Sequence, residues 1–134
     1  MSLSGSENRT GLYVETNGIY EMVRNLLKNS DDGRHPYLTP LNAESHADLP
    51  PTIHVTNGHD PLREVGHACA RKHAAADNES SYVHNPDLTH GFPQFTRYSR
   101  ACHVATKQLA DLIKAKLLAA APATAGAASS ERAT

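Results

Sequence analysis

The sequence predicts an α/β fold built on two parallel strands, and three observations carry that expectation. Thr52–Asn57 alternates, with Ile53 and Val55 on one side, and a second extended run covers Ser80–His84. Between them lies one helix's length of chain, opened by Asp60-Pro61. Two strands joined through a helix pair in parallel by a right-handed crossover, so both strands end at the same edge of the sheet. Three helices and two strands make a thin slab, whereas parallel sheets are normally covered on both faces and flanked by more strands. The expectation is an incomplete domain over residues 1–118, followed by a disordered tail over residues 119–134.

Taken in order, Met1–Thr10 is rich in Ser, Asn and Gly and reads as loop. From Gly18 to Asn29, Ile19, Met22, Val23, Leu26 and Leu27 recur at helical spacing and form one apolar stripe. Lys28 suits that helix's last turn, and Ser30-Asp31-Asp32-Gly33 stops it. Pro36–Pro51 holds four prolines and no period, which makes it an extended connection into the first strand. Gly58 is expected to end that strand. Asp60 would cap the next helix and Pro61 would take its first position. Leu62, Val65, Cys69 and Ala76 lie on or near one stripe of it. A polar break at Asp77–Glu79 precedes the second strand, and His90-Gly91 follows in the loop beyond. The last helix, Tyr98–Leu118, carries Ala101, Val104, Ala105, Leu109, Leu112, Ile113 and Leu117 on one face, read as core packing, with Lys116 interrupting it. From Ala119 the Ala-, Ser-, Thr- and Pro-rich tail has too little bulky apolar surface to offset its ordering entropy.

The bulk numbers narrow the function classes. A net charge of -1 gives no electrostatic reason to expect nucleic acid or an anionic membrane as partner. No stretch is long or apolar enough to span a membrane and no signal peptide opens the chain, so a cytoplasmic location is the expectation. The glycosylation-type triplets at Asn8 and Asn78 then carry no meaning. Cys69 and Cys102 each fall in a helix, as small buried hydrophobes rather than a disulfide framework.

Chemistry gathers where the two strands end. Asp60 and His90 both lie just past a strand, so the topology delivers a carboxylate and an imidazole to one edge. Around them, Leu49-Pro50-Pro51, Asn57-Gly58-His59-Asp60-Pro61-Leu62-Arg63-Glu64 and Thr89-His90-Gly91-Phe92 resemble α/β-hydrolases, most closely the hormone-sensitive-lipase-like carboxylesterases. Pro36–Leu41 and Leu3–Thr16 are similar to the same branch, so the resemblance covers Ser2 to Leu118. It implies a triad in the order Ser, Asp, His, with Asp60 as the acid and His90 as the general base, and a small ester or acyl substrate with no cofactor. Gly91 and Phe92 would supply a tight turn and a packed anchor for the ring. The sequence also departs from the family. It has no G-x-S-x-G and no His-Gly-Gly, and Asp87 stands where the family commonly has glycine. The chain is expected to begin after the nucleophile-bearing half and to show no esterase turnover alone.

Two competing readings remain at this point. One is a non-catalytic interaction module, in which a homo-oligomer or a partner chain covers the open sheet edge. The other is a soft-metal site on the helix carrying His67, Cys69 and His73, for which no third ligand on a matching face is evident. Asp60 read alone is a helix cap, and His90 alone a surface loop histidine.

Overall fold

The computed structural model describes residues 2–120, whose main elements are α1 (Leu3–Glu7), α2 (Thr16–Leu26), β1 (Thr52–His59), α3 (Arg63–Ala75), β2 (Ser80–Thr89) and α4 (Arg100–Ala120). The strands pair in parallel, as their helical connection requires, with Thr52 opposite Ser80 and Asn57 opposite Asn85. The register then shifts, so that His59 lies opposite Thr89. While β1 advances from Asn57 to His59, β2 takes the longer path from Asn85 to Thr89. This irregularity explains why both strands outrun their expected ends. Gly58 does not stop β1; it lies so close to the Pro86 carbonyl that a side-chain carbon there would overlap it.

Alternation along β1 sends its two faces to different helices. Val55 packs with Leu88, Phe92, Phe95, Cys102, Ala105 and Leu109, the core shared with α4. His54 and Thr56 meet α3 instead: the His54 and His73 rings lie 5.1 Å apart, and Gly66 sits directly over the Thr56 methyl. The α3 side is therefore polar. The Thr56 hydroxyl bridges the Tyr82 hydroxyl at 2.7 Å and His84 Nδ1 at 2.9 Å, and the Tyr82 ring lies against His67. One asparagine pins the lower end of this layer. The Asn78 amide donates to the His46 and His73 carbonyls, and its oxygen accepts from Leu49 N–H, at 2.6, 3.0 and 2.9 Å.

Several expectations shift. The N-terminal segment read as loop holds α1, whose N-cap Ser2 accepts from Gly5 N–H. A 3₁₀ turn over Pro40–Asn42 interrupts the extended connection. Helix α3 starts at Arg63, and Asp60-Pro61 form the turn before it rather than its cap and first residue. Helix α4 reaches Ala120, two residues past its expected end; the tail's remainder lies outside the described residues. Of its stripe, Ala105 and Leu109 pack into the core, beside Cys102 from off the stripe, whereas Val104, Ile113 and Leu117 are exposed. A two-stranded sheet is too narrow to cover the flank of a helix that long. Cys102 is buried, Cys69 is half-buried, and both are free thiols. Among the described residues no helix is long and apolar enough to cross a membrane.

Candidate active site

Because His59 and Thr89 are register partners at the strand ends, the next residue on each strand, Asp60 and His90, leaves the sheet beside the other. Their side chains meet: His90 Nδ1 lies 2.9 Å from Asp60 Oδ2. An ionised carboxylate only accepts, so the proton of this hydrogen bond sits on Nδ1, and Nε2 is left as the ring's basic nitrogen. The burial of the two side chains is unequal: that of Asp60 is 8% exposed and that of His90 is 42% exposed. The carboxylate is shielded and the imidazole can be reached.

Local backbone geometry fixes each partner. Asp60 Oδ1 accepts from Leu62 N–H at 2.8 Å and the Asp60 carbonyl from Arg63 N–H at 3.1 Å, a side-chain-stabilised turn at the mouth of α3. The carboxylate thus serves the turn with one oxygen and the imidazole with the other. Arg63 ties the loop to its surroundings, donating to the Gly58 carbonyl at 2.8 Å and to Glu7 at 2.7 Å. On the other strand, Gly91 adopts φ +67°, a left-handed conformation that glycine takes without strain. It turns the chain directly into the 3₁₀ segment Phe92–Phe95, where Phe92, 3% exposed, is anchored in the core. Asp87 lines a groove of about 460 Å³ with Leu88, Arg100 and Val104; among the described residues the carboxylate hydrogen-bonded to His90 is that of Asp60.

Among the described residues no three His, Cys, Asp or Glu side chains are gathered so as to hold a metal ion. On α3, His67 lies against Tyr82 and His73 against His54. Sequence reasoning missed Ser4, Asn8 and Tyr13, which the fold brings to the Asp60 and His90 loops. Nothing local marks them; only the resemblance of Leu3–Thr16 to the carboxylesterase branch singled out that stretch.

Comparison with known proteins matches residues 2–94 to a family described as alpha/beta hydrolase fold. Carboxylic ester hydrolase LipN of Mycobacterium tuberculosis is 34% identical over 92 residues, which are 68% of this chain and 24% of LipN. An ester hydrolase from the metagenome of Lake Arreo, solved with a derivative of bipyridine phosphonate, superposes with a TM-score of 0.78 at 27% identity, covering 87% of this chain and 37% of its own. A thermostable esterase from Pseudomonas putida gives a TM-score of 0.74 at 25% identity, covering 81% and 35%. The chain thus spans about a quarter of LipN's length and just over a third of each of these structures.

Proposed function

The chain belongs to the α/β-hydrolase fold family, and from that premise we propose that Asp60 and His90 are the acid and base of a serine carboxylic-ester hydrolase. The observation carrying this reading is the 2.9 Å hydrogen bond from His90 Nδ1 to Asp60 across the ends of two parallel strands. The likeness to LipN, a carboxylic ester hydrolase, supports an ester as the substrate class. In this mechanism His90 Nε2 takes the proton of a serine hydroxyl as that oxygen attacks the ester carbonyl, then returns it to the departing alcohol. Asp60 holds the tautomer that leaves Nε2 free and stabilises the imidazolium as it forms. Water attacks the acyl-serine by the same route in reverse. The 134 residues contain no G-x-S-x-G, so the serine and the oxyanion donors must come from chain outside them.

The test is a p-nitrophenyl acetate assay on two proteins. The 134-residue chain alone should give no turnover. LipN with its matching segment replaced by this chain should hydrolyse the ester, and Asp60→Asn or His90→Ala in that chimera should lower kcat by roughly 10³–10⁴. A chimera whose rate ignores both substitutions would overturn the assignment. A second reading, a non-catalytic interaction module, draws on the unpaired outer edge of β1 and the exposed Met22, Leu26, Ile113 and Leu117. In that reading a second copy or a partner chain covers this surface.

A further inference from the structure

The loops bearing Asp60 and His90 share a third neighbour. Ser4, fully buried, donates its hydroxyl to the Pro61 carbonyl at 3.0 Å. The Asn8 amide, in a residue only 5% exposed, donates to the Ser4 carbonyl at 3.1 Å and makes longer 3.5 Å contacts to the Gly58 and Asp60 carbonyls. Glu7 completes this side through Arg63. Five residues further on, Tyr13 turns to the other loop. Its ring lies about 3.1 Å from where a Gly91 side chain would begin, packs edge-on against Phe95 at 5.0 Å, and its hydroxyl donates to Gln94 at 2.7 Å. The stretch holding Asn8 and Tyr13 is itself closed from either side, since the Thr16 hydroxyl donates to the Gly5 carbonyl at 2.7 Å.

We propose that the segment from Ser4 to Tyr13 is a clamp that sets the distance between the acid loop and the base loop, with Asn8 and Tyr13 as positioning residues. The inference rests on the acid–base reading above. The strand pairing fixes where the two loops start, but each continues beyond the last ladder hydrogen bond. Asn8 and Ser4 fix the first loop through three of its carbonyls, Gly58, Asp60 and Pro61. Tyr13 fixes the second through the one residue, Gly91, that has no side chain of its own to pack. A tyrosine ring needs that bare backbone to approach, which gives Gly91 a second reason besides its φ. Losing either grip lets one loop drift and lengthens a hydrogen bond whose geometry decides which imidazole nitrogen carries the proton.

The tautomer is therefore the readout, measured on the full 134-residue chain by ¹⁵N chemical shifts of the neutral His90 ring. The parent chain should hold the Nδ1–H form, and Asp60→Asn should abolish it. Asn8→Asp, which replaces the donating amide with a carboxylate, and Tyr13→Ala should each move the tautomer ratio toward Nε2–H by about threefold or more, the worth of one neutral hydrogen bond. Tyr13→Phe keeps the ring over Gly91 and against Phe95 and should restore most of the parent ratio. Thr56→Val, which breaks part-buried hydrogen bonds on the α3 face, should lower Tm and leave the tautomer alone. Tyr13 is 54% exposed, so its variants test the clamp even where Asn8→Asp fails to fold. If Asp60→Asn abolishes the Nδ1–H form while both clamp variants retain it, the clamp is wrong and the acid–base pair stands. If the parent chain lacks that form and Asp60→Asn changes nothing, the acid–base reading itself falls.

Discussion

At the scale of single residues, the site depends on atoms that are absent as much as on those present. Gly58 lies against the Pro86 carbonyl, and no rotamer could relieve the overlap of an added methyl with backbone. Gly58→Ala should therefore cost about 3 kcal/mol or more, read as a lower urea midpoint, because one strand must move away from the other. An unchanged midpoint would mean that the strands do not approach as described. The motif letters around Asp60 and His90 were legible because carboxylate, turn and imidazole lie in short contiguous runs. The double use of the Asp60 carboxylate was not, since it accepts from Leu62 N–H in the turn before α3 as well as from His90. Asn8 and Asn78 were legible only as glycosylation-type triplets, yet each amide joins a backbone carbonyl close in the chain to one far away.

Among elements, the α3–β1 contact is the unusual one, because a helix-on-sheet interface here holds imidazoles. His54 has its pKa lowered, first by burial and then by the neighbouring His73. His54 Nε2 and both ring nitrogens of His73 are buried without a hydrogen-bond partner among the described residues. The sign follows directly: the unfolded chain protonates His54 near its ordinary 6.5 while the folded chain resists, so acid favours unfolding. Stability is whole above about pH 6.5 and is lost as pH falls toward the lowered folded-state value. Urea midpoints should drop between pH 7.5 and 5.5, and His54→Gln should flatten that slope; equal slopes in the two proteins would refute it. The places of α2, α3 and α4 were legible from their periods, but the five-residue α1 and the strand ends were not. The irregular stretch from Pro86 to Leu88 contains a proline, which reads as a strand breaker unless the register shift is known.

For the molecule as a whole, the buried hydrophobic residues among those described are Ala70, Leu88, Phe92 and Cys102. That is a small core for so long a chain, and large apolar side chains on α2 and α4 face outward. The purified chain should bind a dye such as ANS and self-associate at tens of micromolar, seen by sedimentation velocity. A monomer that leaves the dye dark would show that these faces need no cover. The topology was legible because a helix between two strands leaves few arrangements open. The outward turn of the helical stripes was not, because a 3.6-residue period reports which side of a helix is apolar and not what lies across from it.

The uneven strand register also bears on how such a chain can vary over time. Two surplus residues in β2 act as a spacer that delivers the imidazole level with its carboxylate. Adding or deleting one residue there would slide His90 by a strand step of about 3.3 Å, more than a hydrogen bond can follow. Insertions and deletions should therefore accumulate at Asp77–Glu79, at the opposite end of the strand, and spare the three residues after Asn85.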